Sequence, residues 1–433
     1  MRASETKICV IGLWHLGCVY AACLADLGYS VTGADEDPEV IRNLKQGKAP
    51  LFEPGLDDLI SKGISAGRLT FQTDINASTR DTQFVVIAYD TPVDEHDKVD
   101  LSIVMRAVDR LKKAGLSATL IVSSQVSVGT CEHIEKALNS SGSVGVAYVP
   151  ENLRLGQAIE RFMRPDMIVI GAQNEAVIGK VKGLFSPIPT KIIEMDLRSA
   201  EMTKHALNSY LATSISFANE IGNICDLVGA DGLKVAAALK ADSRIGQKAL
   251  VRPGLGFAGG TLARDLRVLQ EVGGKYEYET SLIDGVLIVN ERQNNSIVDR
   301  LQRVMGPLNG KMISIFGLTY KAGTSTLRRS AALEIIKRLK GEGALVRAYD
   351  PRVSLSEESA LGINMSLDPY SACEKSDALV IVNDLPEFTE LDFVKIRNVM
   401  KAPFVFDTQN LLEQSKVAAS GMKYIGLGRG MMR

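Results

Sequence analysis

Residues able to do chemistry are densest in one stretch, Val251 to Leu269, which reads V-R-P-G-L-G-F-A-G-G-T-L-A-R-D-L-R-V-L. Gly254, Gly256, Gly259 and Gly260 carry no Cβ, so the backbone there can approach a ligand closely and take positive φ values. Arg264-Asp265 then opens an apolar-periodic run through Leu266, Val268 and Leu269. A glycine-rich loop running into a helix with ionisable groups at the junction is a place to hold an anion or to do chemistry. Lys204 and Asn208 form a second candidate, spaced i, i+4 within Ser199 to Asp226. That stretch has no proline and no glycine before Gly222, and it reads as one long helix. The spacing places a cation and an amide on one face. Taken alone, such a pair is ordinarily a surface lysine and an exposed asparagine.

The elements that must position these groups alternate between strand and helix. Lys7 to Gly12 is a short apolar run closing on glycine, as a buried parallel strand does. Gly12-Leu13-Trp14-His15-Leu16-Gly17 follows, then a helical pattern to Leu27, a strand over Tyr29 to Ala34, and Asp35. An acidic residue about 20 positions past a glycine loop in a βαβ unit is the layout of a dinucleotide site. Asp35 accepts ribose hydroxyls and repels a 2′-phosphate, so the spacing predicts NAD over NADP. In G-x-G-x-x-G the middle glycine lets the backbone reach the pyrophosphate, yet here it is Trp14. Either the indole swings away, or it narrows the pyrophosphate pocket.

Further strands are expected over Phe84 to Ala88, leading to Asp90-Thr91-Pro92, over Ala118 to Ser123, and over Val144 to Val149. Met167 to Gly171 and Lys191 to Glu194 complete a doubly wound domain to about residue 198, with ligands at the carboxyl ends of its strands. Glu151 falls at such an end. A helical region, including a helix over Tyr278 to Asn294, extends to about Arg303. The α/β pattern then restarts with Lys311 to Gly317, and Leu345 to Tyr349 leads to Asp350. The fold class is therefore α/β: two Rossmann-like doubly wound domains joined by a long central helix and a helical region, divided as 1–198, 199–303 and 304–433. Lys321, Arg328 and Arg329 cluster near the first strand end of the last segment, as solvated charge or as a phosphate site.

Composition sets the outer limits. With 45% hydrophobic and 23% charged residues and a net charge of -1, no overall field favours nucleic acid or an anionic membrane. The six cysteines lack C-x-x-C metal spacing, so no metal is expected and the thiols read as reduced. The amino terminus is too charged for a signal peptide, and no window approaches the roughly 20 apolar residues of a membrane span. A soluble, cytoplasmic protein is expected.

Together these stretches resemble the UDP-glucose/GDP-mannose dehydrogenase family along essentially the whole chain. The match rests on G-L-W-H-L-G with Asp35, E-P-G-L at 53 to 56, V-S-V-G-T at 126 to 130, and P-E-N-L-R-L-G at 150 to 156. It continues through A-E-M-T-K-H-A-L-N at 200 to 208, F-A-N-E at 217 to 220, D-S-R-I-G at 242 to 246, P-G-L-G-F-A-G-G at 253 to 260, and G-L-T-Y-K-A-G-T at 317 to 324. The resemblance implies oxidation of the C6 alcohol of a nucleotide sugar to a carboxylate, using two NAD per turnover. Gly12, Trp14, His15, Leu16, Gly17, Asp35, Thr91, Pro92 and Arg328 then belong to the cofactor site. The C-terminal domain takes the nucleotide, and the central helix makes at least a homodimer. Lys204 and Asn208 stabilise the developing alkoxide, Asp265 orients or activates water, and Glu151 assists hydrolysis of a covalent intermediate. Leu153, Arg154, Phe257, Gly259, Gly260, Tyr320 and Lys321 contact substrate, and Arg244 reaches the ligand of the partner subunit.

The departures are systematic. Where the family loop reads G-F-G-G-S-C-F-P-K-D, this chain has G-F-A-G-G-T-L-A-R-D, with Thr261 in the place of the nucleophilic cysteine. A thiolate adds readily to an aldehyde; a threonine hydroxyl is a poor substitute unless a base activates it. Arg264 replaces a lysine, Gln125 a threonine and Leu155 a glutamate. Three outcomes stand: a two-electron oxidation that ends at the carbonyl, acid formation through the aldehyde hydrate, or a non-catalytic nucleotide-sugar binder with a regulatory or assembly role. Retention of Lys204, Asn208 and Asp265 favours an oxidoreductase.

Overall fold

A computed structural model describes residues 3–91, 99–139, 144–321, 327, 329–353 and 362–430. The chain packs as two units, Met1–Leu207 and Asn208–Arg433. The first is built on strands β1 (Lys7–Ile11), β2 (Ser30–Ala34), β3 (Leu69–Gln72), β4 (Phe84–Ile87), β5 (Thr119–Val122), β6 (Val146–Tyr148), β7 (Ile168–Ala172) and β8 (Ile192–Met195). They lie in the order β3-β2-β1-β4-β5-β6-β7-β8. In β1 successive side chains serve opposite layers: Ile8 and Val10 enter one core, Cys9 and Ile11 the other. Burial on both faces is why these strands read as continuous apolar runs.

Strand order reverses between β1 and β4, where a crevice opens at the carboxyl ends. All pairs in this sheet are parallel except β6 with β7, which are antiparallel. The intervening helix Ala158–Met163 has 6 residues. At 1.5 Å per residue it spans only about 9 Å, too short to carry the chain back along the sheet. The chain therefore re-enters from the same end. Ala158, buried beside Phe162, seats that helix against the first core.

The second unit repeats the arrangement with β9 (Met312–Phe316), β10 (Leu345–Tyr349), β11 (Asn364–Met365), β12 (Ala378–Ile381), β13 (Phe404–Asp407) and β14 (Lys423–Gly426). The order is β11-β10-β9-β12-β13-β14, with parallel pairing throughout. The repeat extends to detail: Asp35 accepts Leu13 N at 2.7 Å, and Asp350 accepts Leu318 N at 2.6 Å. Both aspartates tie the tip of the second strand to the turn after the first.

One continuous helix, Leu197–Val228, runs through the point where packing divides the chain. The second unit adds helices Gly232–Ala241, Thr261–Lys275 and Ser281–Met305. The helix after the glycine loop begins at Thr261 rather than at Arg264, which moves Asp265 from its tip into its second turn. The helix expected over Tyr278 to Asn294 is Ser281–Met305, because after Gly285 no glycine or proline follows until Gly306. Strands β3, β11 and β14 escaped the sequence reading; β3 has only alternate residues buried and so lacks a continuous apolar run. Among the described residues no helix is long and apolar enough to cross a membrane, and no group of ligating side chains could hold a metal ion.

Candidate active site

In the first unit, the turn after β1 needs its glycines. Gly12 has φ +91°, and a Cβ on Gly17 would lie 1.8 Å from the Gly12 carbonyl oxygen. Trp14 caps the helix His15–Asp26 with φ -90°, a value that residues with a Cβ adopt, and its side chain is half in solvent. Its φ lies outside the left-handed range that favours glycine. A tight turn, a helix N-terminus with unspent N–H groups and the Asp35 carboxylate remain, so the residues present fit NAD. Leu16 and Gly17 are buried beneath the turn, and Thr91 is buried with its hydroxyl donating to Gln125 O at 3.1 Å. Pro92 and Arg328 lie outside the described residues.

The loop after β6 carries Glu151, Leu153 and Arg154. Lys204, only 4% exposed, donates to the Glu151 carbonyl at 2.5 Å and to its carboxylate at 3.3 Å. The ordinary surface reading of this lysine is thereby corrected: the helix packs it against the loop after β6. Glu151 Oε2 in turn accepts Leu153 N at 2.9 Å, while Arg154 is exposed. Two neighbours on the same helix hold the loop after β5. Glu201, fully buried, accepts Gly129 N at 2.5 Å and Cys131 N at 2.7 Å, and His205 Nε2 contacts Val126 O at 3.0 Å. Burial pushes the Glu201 carboxyl up even against these backbone donors. A single stretch of helix thus fixes two loops at the carboxyl end of the sheet.

In the second unit the glycine loop is gripped by side-chain amides. Asn219 accepts Gly254 N at 2.8 Å and donates to Leu255 O at 3.0 Å. Gln293 donates to Gly254 O at 2.5 Å, Asn294 accepts Gly256 N at 3.0 Å, and Asn290 accepts Phe257 N at 2.7 Å. Backbone groups in a non-repetitive segment must find partners when buried, and here amides supply both donor and acceptor. Sequence reasoning missed Asn290, Gln293 and Asn294. Their i, i+3, i+4 spacing on one helix was the available signal.

Gly259, with φ +75°, donates to Arg329 O at 3.1 Å, and a Cβ there would stand 3.0 Å from the Tyr320 ring. Gly260 lies under the Arg329 guanidinium, Phe257 is buried, and Lys321 is exposed. Burial pushes the Tyr320 hydroxyl up. The structure thus joins the glycine loop to the first strand-end turn of the C-terminal sheet. Thr261 opens the next helix and is exposed. One turn on, fully buried Asp265 receives the side-chain amide of Asn208. Asn208 is itself 8% exposed, so the exposed-helix reading is corrected for it as well. Arg244 is exposed and paired with Asp242 at 2.7 Å.

All six cysteines are buried and unpaired with one another. Burial pushes Cys9 and Cys373 up to about 12, and it raises Cys18, Cys23, Cys131 and Cys225 as well.

Three models of the UDP-glucose/GDP-mannose dehydrogenase family match the chain: the NAD binding domain over residues 6–189, the central domain over 198–292, and the UDP binding domain over 314–414. UDP-glucose 6-dehydrogenase TuaD of Bacillus subtilis is 38% identical over 435 residues, covering 99% of this chain and 94% of the relative. The UDP-glucose 6-dehydrogenase of Rhizobium meliloti is 33% identical, covering 98% of this chain and 99% of the relative. Among solved structures, a UDP-glucose dehydrogenase from Pyrobaculum islandicum superposes with a TM-score of 0.89 at 29% identity, covering 98% of both chains. The UDP-N-acetyl-mannosamine dehydrogenase Cap5O from Staphylococcus aureus gives 0.80 at 26% identity, also with 98% of both chains covered.

Proposed function

The chain belongs to the UDP-glucose/GDP-mannose dehydrogenase family and is an NAD-dependent nucleotide-sugar dehydrogenase, and on that premise we propose that it oxidises a sugar CH–OH group by two electrons and stops at the carbonyl. UDP-glucose is the first substrate to test, because the relatives are named for it and the 314–414 segment matches a UDP binding domain. The observation that carries the limit to two electrons is Thr261. It is exposed at the first turn of its helix, and among the described residues no imidazole or carboxylate is bonded to its hydroxyl. Without a base, that hydroxyl is far too weak an acid to trap an aldehyde as a thiolate does.

NAD, when bound, accepts the hydride. Lys204 commits two N–H groups to Glu151, and an ammonium has three, so one is left for the sugar oxygen. Its charge stabilises the alkoxide that forms as the hydroxyl proton leaves. Asn208, one turn along the same helix, gives one amide hydrogen to Asp265 and keeps the other for a substrate oxygen. Asp265 fixes the orientation of that amide, and Glu151 holds the ammonium. The alcohol becomes an aldehyde: one carbon-bound hydrogen leaves with two electrons as hydride, and the hydroxyl proton passes to solvent.

The division into a cofactor segment (1–198), a central segment (199–303) and a nucleotide segment (304–433) is supported by the three matched stretches. Lys321 and Arg329 supply positive charge for the diphosphate. Tyr210, Phe217, Ile224, Leu227 and Val228 stand exposed along the long helix, which supports a homodimer through that helix. Arg244 would then be presented to the partner's ligand. Reduced, buried thiols support a cytoplasmic setting.

NADH stoichiometry tests the reading. Purified protein incubated with NAD and limiting UDP-glucose, then with a panel of other nucleotide sugars, yields one NADH per sugar if the reading holds. Two NADH per sugar overturns the limit and establishes acid formation through the hydrate. Tight sugar binding with no NADH overturns the enzymatic reading in favour of a binding-only role.

A further inference from the structure

The E-P-G-L stretch at 53 to 56 takes no part in the chemistry above, yet Glu53 is 4% exposed. Its carboxylate is bonded on both oxygens. Oε1 accepts Ala158 N at 2.8 Å; Oε2 accepts Gly156 N at 2.8 Å and meets His15 Nε2 at 2.9 Å. His15 is the first residue of the helix that follows the cofactor turn, directly after Trp14. Gly156 and Ala158 close the 150–158 loop, whose other end Lys204 holds at Glu151. The loop bearing Leu153 and Arg154 is therefore pinned at both ends, and the distal pin is anchored to the cofactor turn.

A buried carboxylate is held where its donors are, because desolvation penalises any donor it loses. Backbone N–H groups of an irregular loop offer no alternative geometry without moving the loop. Displacing His15 frees the carboxylate to rotate toward solvent and releases Gly156 and Ala158 together. Conversely, a ligand that orders the 150–158 loop fixes Glu53 and, through it, the start of the dinucleotide helix. The mean site for a pyrophosphate is at that helix start, so both binding events act on one carboxylate.

We propose that Glu53 and His15 are positioning residues that couple the cofactor turn to the nucleotide-sugar loop. Nucleotide-sugar affinity then depends on His15 even when no cofactor is present. This rests on the reading of Leu153 and Arg154 as part of the nucleotide-sugar site.

Calorimetry of UDP-glucose binding to the full chain without NAD tests it, in wild type, His15→Ala, His15→Gln and Glu53→Gln. His15 is partly exposed, so its replacements are expected to fold; a thermal melt checks this. Loss of one partner of a buried carboxylate is expected to weaken UDP-glucose about five- to tenfold in His15→Ala. His15→Gln, which keeps an N–H for Glu53, recovers most of that loss. Combining His15→Ala with Glu53→Gln weakens binding no further than Glu53→Gln alone. In steady state at saturating NAD, the KM for the sugar rises in His15→Ala and recovers in His15→Gln. If wild type binds UDP-glucose and His15→Ala binds it equally well, the coupling is overturned and His15 serves the cofactor alone. If wild type binds no UDP-glucose, the reading of the loop is overturned and the coupling with it. Should Glu53→Gln fail to fold, the His15→Ala and His15→Gln comparison decides.

Discussion

Asn208 donates its side-chain amide to the carboxylate of Asp265, and both residues are buried in the second unit. The contact fixes which end of the amide faces inward. It also supplies a buried carboxylate with a donor that it cannot obtain from water. Replacing Asn208 by Ala leaves Asp265 short of that donor, which costs about 1–3 kcal/mol of stability. On the proposed mechanism it also removes a donor to the substrate oxygen, so kcat should fall by roughly 100-fold. Thermal unfolding and initial NADH rates measure the two effects separately; an unchanged kcat in a folded variant would remove Asn208 from the chemistry.

Thr261→Cys should restore a nucleophile at the helix start. One NADH per sugar becomes two, read by absorbance at limiting UDP-glucose. If the variant still yields one, the loop has lost more of the acid-forming machinery than its sulfur.

Thiol chemistry gives an independent check. Burial pushes Cys9 and Cys373 up to about 12, so at pH 8 only about 1 in 10,000 of either thiol is ionised, one tenfold step for each pH unit. Wild-type activity should survive iodoacetamide at pH 8 unchanged, while the Thr261→Cys variant loses its second NADH under the same treatment. Rapid inactivation of wild type would mean that a buried thiol takes part after all.

Trp14 is the sole tryptophan of the chain, and its position at the cofactor turn makes its emission a direct reporter. NADH should quench it saturably. Because Trp14 has φ -90°, glycine brings no conformational relief, and Trp14→Gly should change NAD affinity by less than about tenfold. A larger gain in affinity would show that the indole obstructs the pyrophosphate.

Gly259→Ala tests the seat of the glycine loop. A φ of +75° and the Tyr320 ring 3.0 Å from the new Cβ together strain the substitution. A left-handed residue costs about 1–2 kcal/mol. The KM for the nucleotide sugar should rise, while NADH quenching of Trp14 stays as in wild type.

Much of this was legible in the chain itself. Strands buried on both faces announced themselves as apolar runs, and Asp35 and Asp350 marked the tips of two repeated βαβ units. That residue 261 is a threonine, with a hydroxyl and no sulfur, is a fact of covalent chemistry that no fold can alter. Strands with one wet face, such as β3, were illegible because half their residues are polar. So was the antiparallel entry of β7, which depends on the length of the preceding helix and not on the strand's own residues.

Sequence alone determined which groups are present: a lysine and an asparagine one turn apart, a carboxylate at 265, a hydroxyl at 261. Tertiary structure decided what those groups meet. Lys204 is buried on Glu151 rather than solvated, Asp265 is buried with Asn208, and Glu53 spans to His15, Gly156 and Ala158. Such pairings join residues far apart in the chain, and spacing carries no information about them. They follow from the pull of buried polar groups toward partners, which only the packed fold brings within reach.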